Sequence, residues 1–293
     1  MEIIKHAKNI HEIKFESNKA TIAMLSDIHW DNPKCDWDAL KRDLDYCKKH
    51  DIPIMINGDM FCLMQGRGDR RANKSDIRPE HNNAKYLDSI VETAIEWWAP
   101  YAQNIVLIGY GNHETAIIKW QETDILQRFV DLLNYQCGTN VQVGGYTGWL
   151  IVKQVYDTKS KSTFKIKYAH GSGGGGIVTK GAINLTRALE IYEDFDVFTM
   201  GHIHENSART DVRDTIEHNP KTGWLHKQKE IHLMVTGTYK EEYGDGSKGW
   251  HVERGAPVKP VGGRLLTFES QTMKVDDDKM RLVKRVDSHK FPI

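Results

Sequence analysis

An excess of charge of either sign is missing from this chain. Its 40 lysines and arginines are matched by 40 aspartates and glutamates, so no global basic field marks it for nucleic acid, and only a local basic groove would serve that purpose. Cysteine is scarce: Cys35, Cys47, Cys62 and Cys137 form no Cys-x-x-Cys pair and no disulfide-rich framework, which fits free thiols in a reducing cytoplasm. No stretch approaches the ~20 apolar residues of a membrane span, and the opening MEIIKHAKNI lacks the apolar centre of a signal peptide. A soluble, cytoplasmic protein with no membrane partner is expected. Internal repeats and low-complexity linkers are also absent. The chain is ample for a substantial core, and composition alone leaves oligomeric state open.

What is present is a series of five short polar motifs, each at the end of an apolar stretch. Ser26-Asp27-Ile28-His29 follows IAML, and Asn57-Gly58-Asp59 closes IPIMI. Tyr110-Gly111-Asn112-His113-Glu114 follows IVLIG, Ala169-His170-Gly171 follows FKIKY, and Met200-Gly201-His202-Ile203-His204 follows VFT. The apolar stretches read as strands whose carboxyl ends gather along one sheet edge. Because the motifs must converge, a single domain over 1–293 is expected, with a hairpin and loop insertion around 205–262.

Imidazole, carboxylate and amide oxygens in such a cluster suit divalent ions such as manganese, iron, nickel or zinc. In Asp27-x-His29 the two donors are separated by one residue, so they share a strand face and can clamp one ion just past the strand end; the imidazoles of His202-x-His204 could face one ion or be divided between two. The glycines before Asp59, Asn112 and His202 allow sharp turns and close passage of backbone. Taken singly, each residue has a plainer reading: Asp27 and Asp31 as caps of the helix beginning near Asp36, His29 as a hydrogen-bonded residue. The ordered set is what outweighs those readings.

These motifs resemble the calcineurin-like metallophosphoesterases, whose signature runs Asp-x-His, Gly-Asp, Gly-Asn-His-Asp/Glu, His and Gly-His-x-His. The resemblance spans Asp27 to His204, and the flanking text (SDIHWDNPKC, IGYGNHET, HGSGGGG) is similar to phage-encoded members. It implies a four-layer α/β/β/α sandwich of two mixed sheets flanked by helices, with a dimetal site at one sheet edge. It implies two divalent metal ions, manganese first, with iron, nickel or zinc as alternatives. One would be held by Asp27, His29 and His204, the other by Asn112, His170 and His202, with Asp59 bridging. His113 matches the family's catalytic histidine, and Glu114 is expected to accept hydrogen bonds rather than bind metal. The implied reaction is hydrolysis of a phosphate ester by a hydroxide generated between the metals, His113 serving the leaving group.

Between the motifs, Asp36–His50 reads as a helix with Trp37, Leu40, Leu44 and Cys47 along one face. Ala84–Trp98, 117–133 and Leu185–Tyr192 also read as helices. Strand patterns cover Ala20–Leu25, Ile52–Ile56, Ile105–Ile108, Trp149–Val155, Thr163–Tyr168 and Val197–Met200. The turn signal NPKTG (Asn219–Gly223) predicts a hairpin. Arg264–Phe268 and Met280–Val286 read as edge strands with a solvated turn at Lys274–Lys279. The SGGGG run (Ser172–Gly176) lacks the Gly-Lys-Ser/Thr ending of a phosphate loop and is read as a flap or plain loop.

The substrate is less legible. The Ser/Thr phosphatase branch extends its second block to Gly-Asp-x-x-Asp-Arg-Gly, whereas this chain has GDMFCLM. GDMF is instead similar to the Gly-Asp-Leu-Phe of double-strand-break repair nucleases. Arg67, Arg70 and Arg71 lie in a loop after Asp59 and are candidates for binding phosphate oxygens; a solvated loop paired with Asp69, Asp76 and Glu80 is the plainer reading. Trp30, Tyr110, Tyr239 and Trp250 are candidates for base stacking, and His81 and His251 for loops at the rim. The leading expectation is a phosphodiesterase on nucleic acid or a nucleotide. A phosphomonoesterase is the alternative, and a non-catalytic binding module on the same fold is the alternative of another class.

Overall fold

The structure is a computed structural model that describes residues 3–63, 76–156, 160–174, 176–220, 223–244, 246, 250–253, 255–276 and 279–292. Two strands open it, β1 (Ile3–Ala7) and β2 (Ile10–Phe15). Neither stood out in the sequence, because His11 occupies an inward position of β2 beside Ile13 and hides the period-two pattern. The chain continues through β3 (Lys19–Leu25), α1 (Trp37–Lys49), β4 (Ile54–Asn57), α2 (Tyr86–Trp98), β5 (Ile105–Gly109), α3 (Asn112–Gln121) and α4 (Ile125–Cys137). Then follow β6 (Gln142–Val143), β7 (Thr147–Tyr156), β8 (Ser160–Ala169), α5 (Ala182–Ile191), β9 (Val197–Met200), β10 (Ser207–Asn219) and β11 (Gly223–Val235). A short helix, α6 (Trp250–Glu253), and two strands, β12 (Arg264–Asp276) and β13 (Lys279–Lys290), complete it.

Two mixed sheets result. One has the order β13-β12-β3-β4-β5-β6, the other β1-β2-β7-β8-β9-β11-β10. In the first, β3, β4, β5 and β6 run parallel. In the second, β8, β9 and β11 run parallel. Residue alternation explains the layering. On β4, Ile54 and Ile56 face a core shared with Leu40 and Leu44 of α1, Ile90 and Trp98 of α2, and Phe129 of α4. Met55, on the opposite face, joins Met24, Leu150, Phe164, Ile166 and Leu266 in the core between the sheets. A third core packs Leu185 and Ala188 of α5 on Phe198, Leu233 and Val235 of the second sheet. The order helices, sheet, sheet, helix is the expected four-layer sandwich.

The structure departs from the sequence reading in places. The single helix read over 117–133 is two helices: Glu122 is left-handed at φ 53°, and Asp124 caps α4 by accepting the Gln127 N–H at 2.9 Å. β12 is no edge strand, since it lies between β13 and β3, and the Lys274–Lys279 segment read as a turn belongs mostly to the two strands. Asp36, not Asp27 or Asp31, caps α1 through the Ala39 N–H at 2.9 Å. The hairpin predicted at Asn219–Gly223 joins β10 and β11 in continuous register from Ser207↔Val235 to Asn219↔Gly223. Among the described residues no helix is long and apolar enough to cross a membrane, and the four cysteines are free thiols.

Candidate metal centre

Parallel strands deliver their carboxyl ends to one edge, and the five motifs lie there. β3 leads to Asp27 and His29, β4 to Asp59, β5 to Asn112 and His113 at the start of α3, β8 to His170, and β9 to His202 and His204. The loops after β3 and β4 stay paired beyond their strands. Asp27 N–H reaches Gly58 O at 3.1 Å, His29 N–H reaches Asp59 O at 3.0 Å, and Trp30 N–H reaches Met60 O at 2.9 Å. Asp27, His29, Asp59, His202 and His204 all adopt left-handed backbone, with φ of 51°, 50°, 49°, 67° and 56°. Each such residue costs roughly 1–2 kcal/mol, a concentration of strain characteristic of functional sites.

The side chains meet in two groups. Asp27, His29 and His204 offer one donor atom each within 4.8 Å of one another, and so do Asp59, His170 and His202. His204 Nε2 lies 3.3 Å from Asp27 Oδ1, and His170 Nε2 lies 3.2 Å from Asp59 Oδ2. Asn112 Oδ1 stands 2.8 Å from His202 Nδ1 and 3.2 Å from His170 Nε2. His170 Nε2 is also 4.0 Å from Asp27 Oδ1, so the groups adjoin. All seven candidate ligands are therefore brought together. His113 is beside them, its ring 4.8 Å from that of His29 and its Nε2 3.9 Å from Asp59 Oδ2. Arg67, Arg70 and Arg71 lie outside the described residues, as do the side chains of Trp250 and His251.

Hydrogen bonds hold these groups from behind. His170 Nδ1 donates to Asn57 O at 2.8 Å, which turns Nε2 toward Asp59 and Asn112. Asp27 accepts the His202 N–H at 2.9 Å and the Ser26 hydroxyl at 2.5 Å. Glu114 accepts three backbone N–H groups, from Gly111 at 2.8 Å, Phe61 at 3.0 Å and Asp59 at 3.1 Å. That is the acceptor role expected of it. His113 N–H donates to Asp59 Oδ1 at 3.0 Å, and its Nδ1 bonds the carbonyl of Cys62. The backbone is too close here for side chains: a Cβ on Gly111 would lie 2.0 Å from Asp59 Oδ1, and one on Gly58 (φ 83°) 2.5 Å from His170 Nδ1.

Electrostatics follow from burial. Asp27 and Asp59 are almost wholly buried. Desolvation pulls His170 down, but the Asp59 and Asp27 carboxylates outweigh it and lift its pKa to about 10. Desolvation and the Asp59 charge push Glu114 up to about 8. Burial, reinforced by His113, holds His29 well below the ordinary histidine range and so neutral. Both ring nitrogens of His29 are buried without a hydrogen-bond partner, an arrangement that costs a few kcal/mol unless something accepts their lone pair or proton. A neutral imidazole beside a buried carboxylate is a ready ligand for a divalent cation, so the donor set fits one.

Other residues proved structural. Trp30 and Tyr239 are buried and cannot stack on a base: Trp30 stacks on Trp37, and the Tyr239 hydroxyl donates to Asp43 at 2.8 Å. His81 is buried against Trp30 and bonded to Thr93 Oγ1 at 2.8 Å, not poised at a rim. Tyr110 is committed to Asp124 at 2.5 Å. Conversely, the sequence reading overlooked Thr236 and Thr238. Thr236 Oγ1 lies 2.6 Å from Ser26 Oγ, and the Thr238 hydroxyl donates to Asp27 O at 2.8 Å. Their signal was available: Thr-Gly-Thr follows the apolar end of β11, as each motif follows its own strand.

The family model for calcineurin-like phosphoesterases matches residues 20–206, which is more than half of the chain and includes every residue of the two groups. The chain belongs to the calcineurin-like phosphoesterases. Membership makes it, in general terms, a metal-dependent phosphoesterase. Among curated proteins no sequence matches this phosphoesterase significantly. Solved structures similar to it include Vps29 of Chaetomium thermophilum, at 9% identity and TM-score 0.36, covering 94% of this chain and 100% of that one. Another is GAP50, described as the anchor in the inner membrane complex of Plasmodium, at 11% identity and TM-score 0.41, covering 94% of this chain and 89% of that one.

Proposed function

We propose that the chain works as one dinuclear phosphoesterase domain whose substrate is a phosphodiester of nucleic acid or of a nucleotide. Asp27, His29 and His204 would hold one divalent cation, and Asn112, His170 and His202 the other, with Asp59 shared. Manganese heads the candidates; iron, nickel and zinc suit the same donors. Bound cations supply Lewis-acid activation of water and neutralise charge at phosphorus. The observation that carries the reading is the convergence of two Asp/His triads on buried carboxylates, one of them containing an imidazole with neither ring nitrogen hydrogen-bonded.

The chain's own residues divide the remaining work. The Cys62 carbonyl and the Asp59 carboxylate orient His113 through its Nδ1 and its backbone N–H. In its protonated form His113 gives a proton to the leaving-group oxygen as the P–O ester bond breaks, so the alcohol departs neutral. Asn57 fixes the tautomer of His170. Glu114 ties α3 to the loop bearing Asp59 and Phe61.

The residues after Asp59 support the diester. Met60, Phe61, Cys62 and Leu63 are all buried, with Phe61 edge-on to Phe129. The described part of this segment therefore brings packing side chains where the Ser/Thr phosphatases place an aspartate and an arginine. A monoester dianion asks for such an added cation, whereas a diester carries a single charge. The test compares bis-p-nitrophenyl phosphate with p-nitrophenyl phosphate, with manganese and with chelator. Chelator-sensitive preference for the diester is expected. Preference for the monoester would overturn the substrate reading, and inactivity of folded, metal-loaded protein on both would favour a binding module.

A further inference from the structure

A third group of metal-binding side chains lies beside the two already described. His29, Cys62 and His113 offer donor atoms within 4.8 Å of one another, as the members of each Asp/His triad do. A tetrahedral ion with bonds of about 2.0 Å to nitrogen and 2.3 Å to sulfur sets its donors roughly 3.5 Å apart, within reach of small side-chain rotations. Cys62 is buried, its Sγ accepting from Asn32 Nδ2 at 3.2 Å. His29 is 2% exposed, with neither ring nitrogen hydrogen-bonded. His113 has Nδ1 turned to the Cys62 carbonyl, so Nε2 is the nitrogen that would bind.

We propose that His29, Cys62 and His113 form a thiol-containing site for a thiophilic divalent cation of the zinc and cadmium class, and that its occupation switches the centre off. The part concerning activity rests on the function proposed above; the site itself does not. Sulfur is what separates this group from the other two. Carboxylate and imidazole donors accept manganese as well as zinc, whereas thiolate selects softer ions. On binding, the S–H bond of Cys62 gives way to a sulfur–metal bond and the proton leaves to solvent. The ion then occupies the nitrogen with which His113 serves the leaving group, and it competes for His29. A hard cation therefore loads the Asp/His triads and leaves this group alone, and a soft one at sufficient concentration takes His113 out of use.

The test uses the full chain and its Cys62→Ala variant, with cadmium and zinc as probes. Because the Cys62 carbonyl also orients His113, zinc inhibition of each protein is read relative to its own manganese-supported rate. Cadmium added to wild-type protein should raise the ultraviolet charge-transfer absorption of a cadmium–thiolate bond. The variant should lose that band even though Cys35, Cys47 and Cys137 remain. Zinc should inhibit manganese-supported hydrolysis in the wild type at concentrations at least about 10-fold below those needed for the variant, since loss of a direct ligand should cost no less than the ~10–100-fold typical of a group that only supports one. A second variant, Cys62→Ser, keeps a polar atom near Asn32 and guards against a packing artefact; it too should lose the band. Retention of the band in both variants, or equal zinc sensitivity of wild type and variants, would overturn the proposal. A Cys62-dependent band in a protein that hydrolyses neither ester would support the site while overturning the hydrolase reading.

Discussion

Glu114 accepts the backbone N–H of Asp59 at 3.1 Å. Through this bond the first turn of α3 holds the loop after β4, and with it the carboxylate proposed to be shared by both cations. The same carboxylate takes the N–H groups of Phe61 and Gly111. Replacing it leaves three donors without a partner in a buried place, each worth about 1 kcal/mol or more. Glu114→Ala should lower stability by roughly 2–4 kcal/mol in a urea titration and reduce metal content. Glu114→Gln, which keeps acceptor oxygen, should recover part of both. Unchanged metal content in Glu114→Ala would mean that the loop is held by other contacts.

Asp59→Asn removes the charge that raises His170 and the oxygen proposed to serve two cations. Less than full occupancy by elemental analysis is expected. The accompanying loss of turnover should exceed the ~10–100-fold typical of groups that merely support a ligand. Two cations per chain with near-normal rates would remove Asp59 from the shared position.

His113→Ala should keep both cations, because the residue orients toward the leaving group and lies outside the two Asp/His triads. Turnover of esters with poor leaving groups should fall about 10²–10⁴-fold. With p-nitrophenolate, which leaves without a proton, the loss should be much smaller. Equal losses on both substrates would contradict the proton-donor role.

Acid should destabilise the fold through His11 on β2. Burial, with added repulsion from Lys5 and His6, lowers its pKa from 6.5 to about 4, and both ring nitrogens lack partners. The unfolded chain therefore binds this proton before the folded one does. Stability from this source is intact above pH 6.5 and falls as pH drops toward 4, by up to about 3 kcal/mol. Comparing wild type with His11→Phe in urea titrations at pH 7 and pH 4.5 should show wild type losing stability relative to the variant in acid. A difference independent of pH would mean that His11 is protonated in the folded state or reaches water.

The sequence by itself was enough for the family, for the strands that carry the motifs, and for naming as candidates the seven residues and His113 that the fold gathers at one edge. The reason is physical: a donor placed just past an apolar strand is marked by the abrupt change from buried to polar residues, and Asp27, Asp59, Asn112, His170 and His202 all bear that mark. Helix α1 was legible by a different signal, the recurrence of Leu40, Leu44 and Cys47 at helical spacing. What tertiary structure alone decided were matters of partnership. Whether Trp30 is a stacking platform or core depends on Trp37, Phe61 and Trp97 lying around it. Strand β2 was hidden by an inward histidine, and the break at Glu122 by the continuous apolar spacing of α3 and α4. The nearness of Cys62 to His29 and His113 has no trace in the sequence, where 33 to 51 residues separate them. Spacing along a chain reports which face a side chain takes within one element. Which faces then meet is set by how sheets and loops fold over one another.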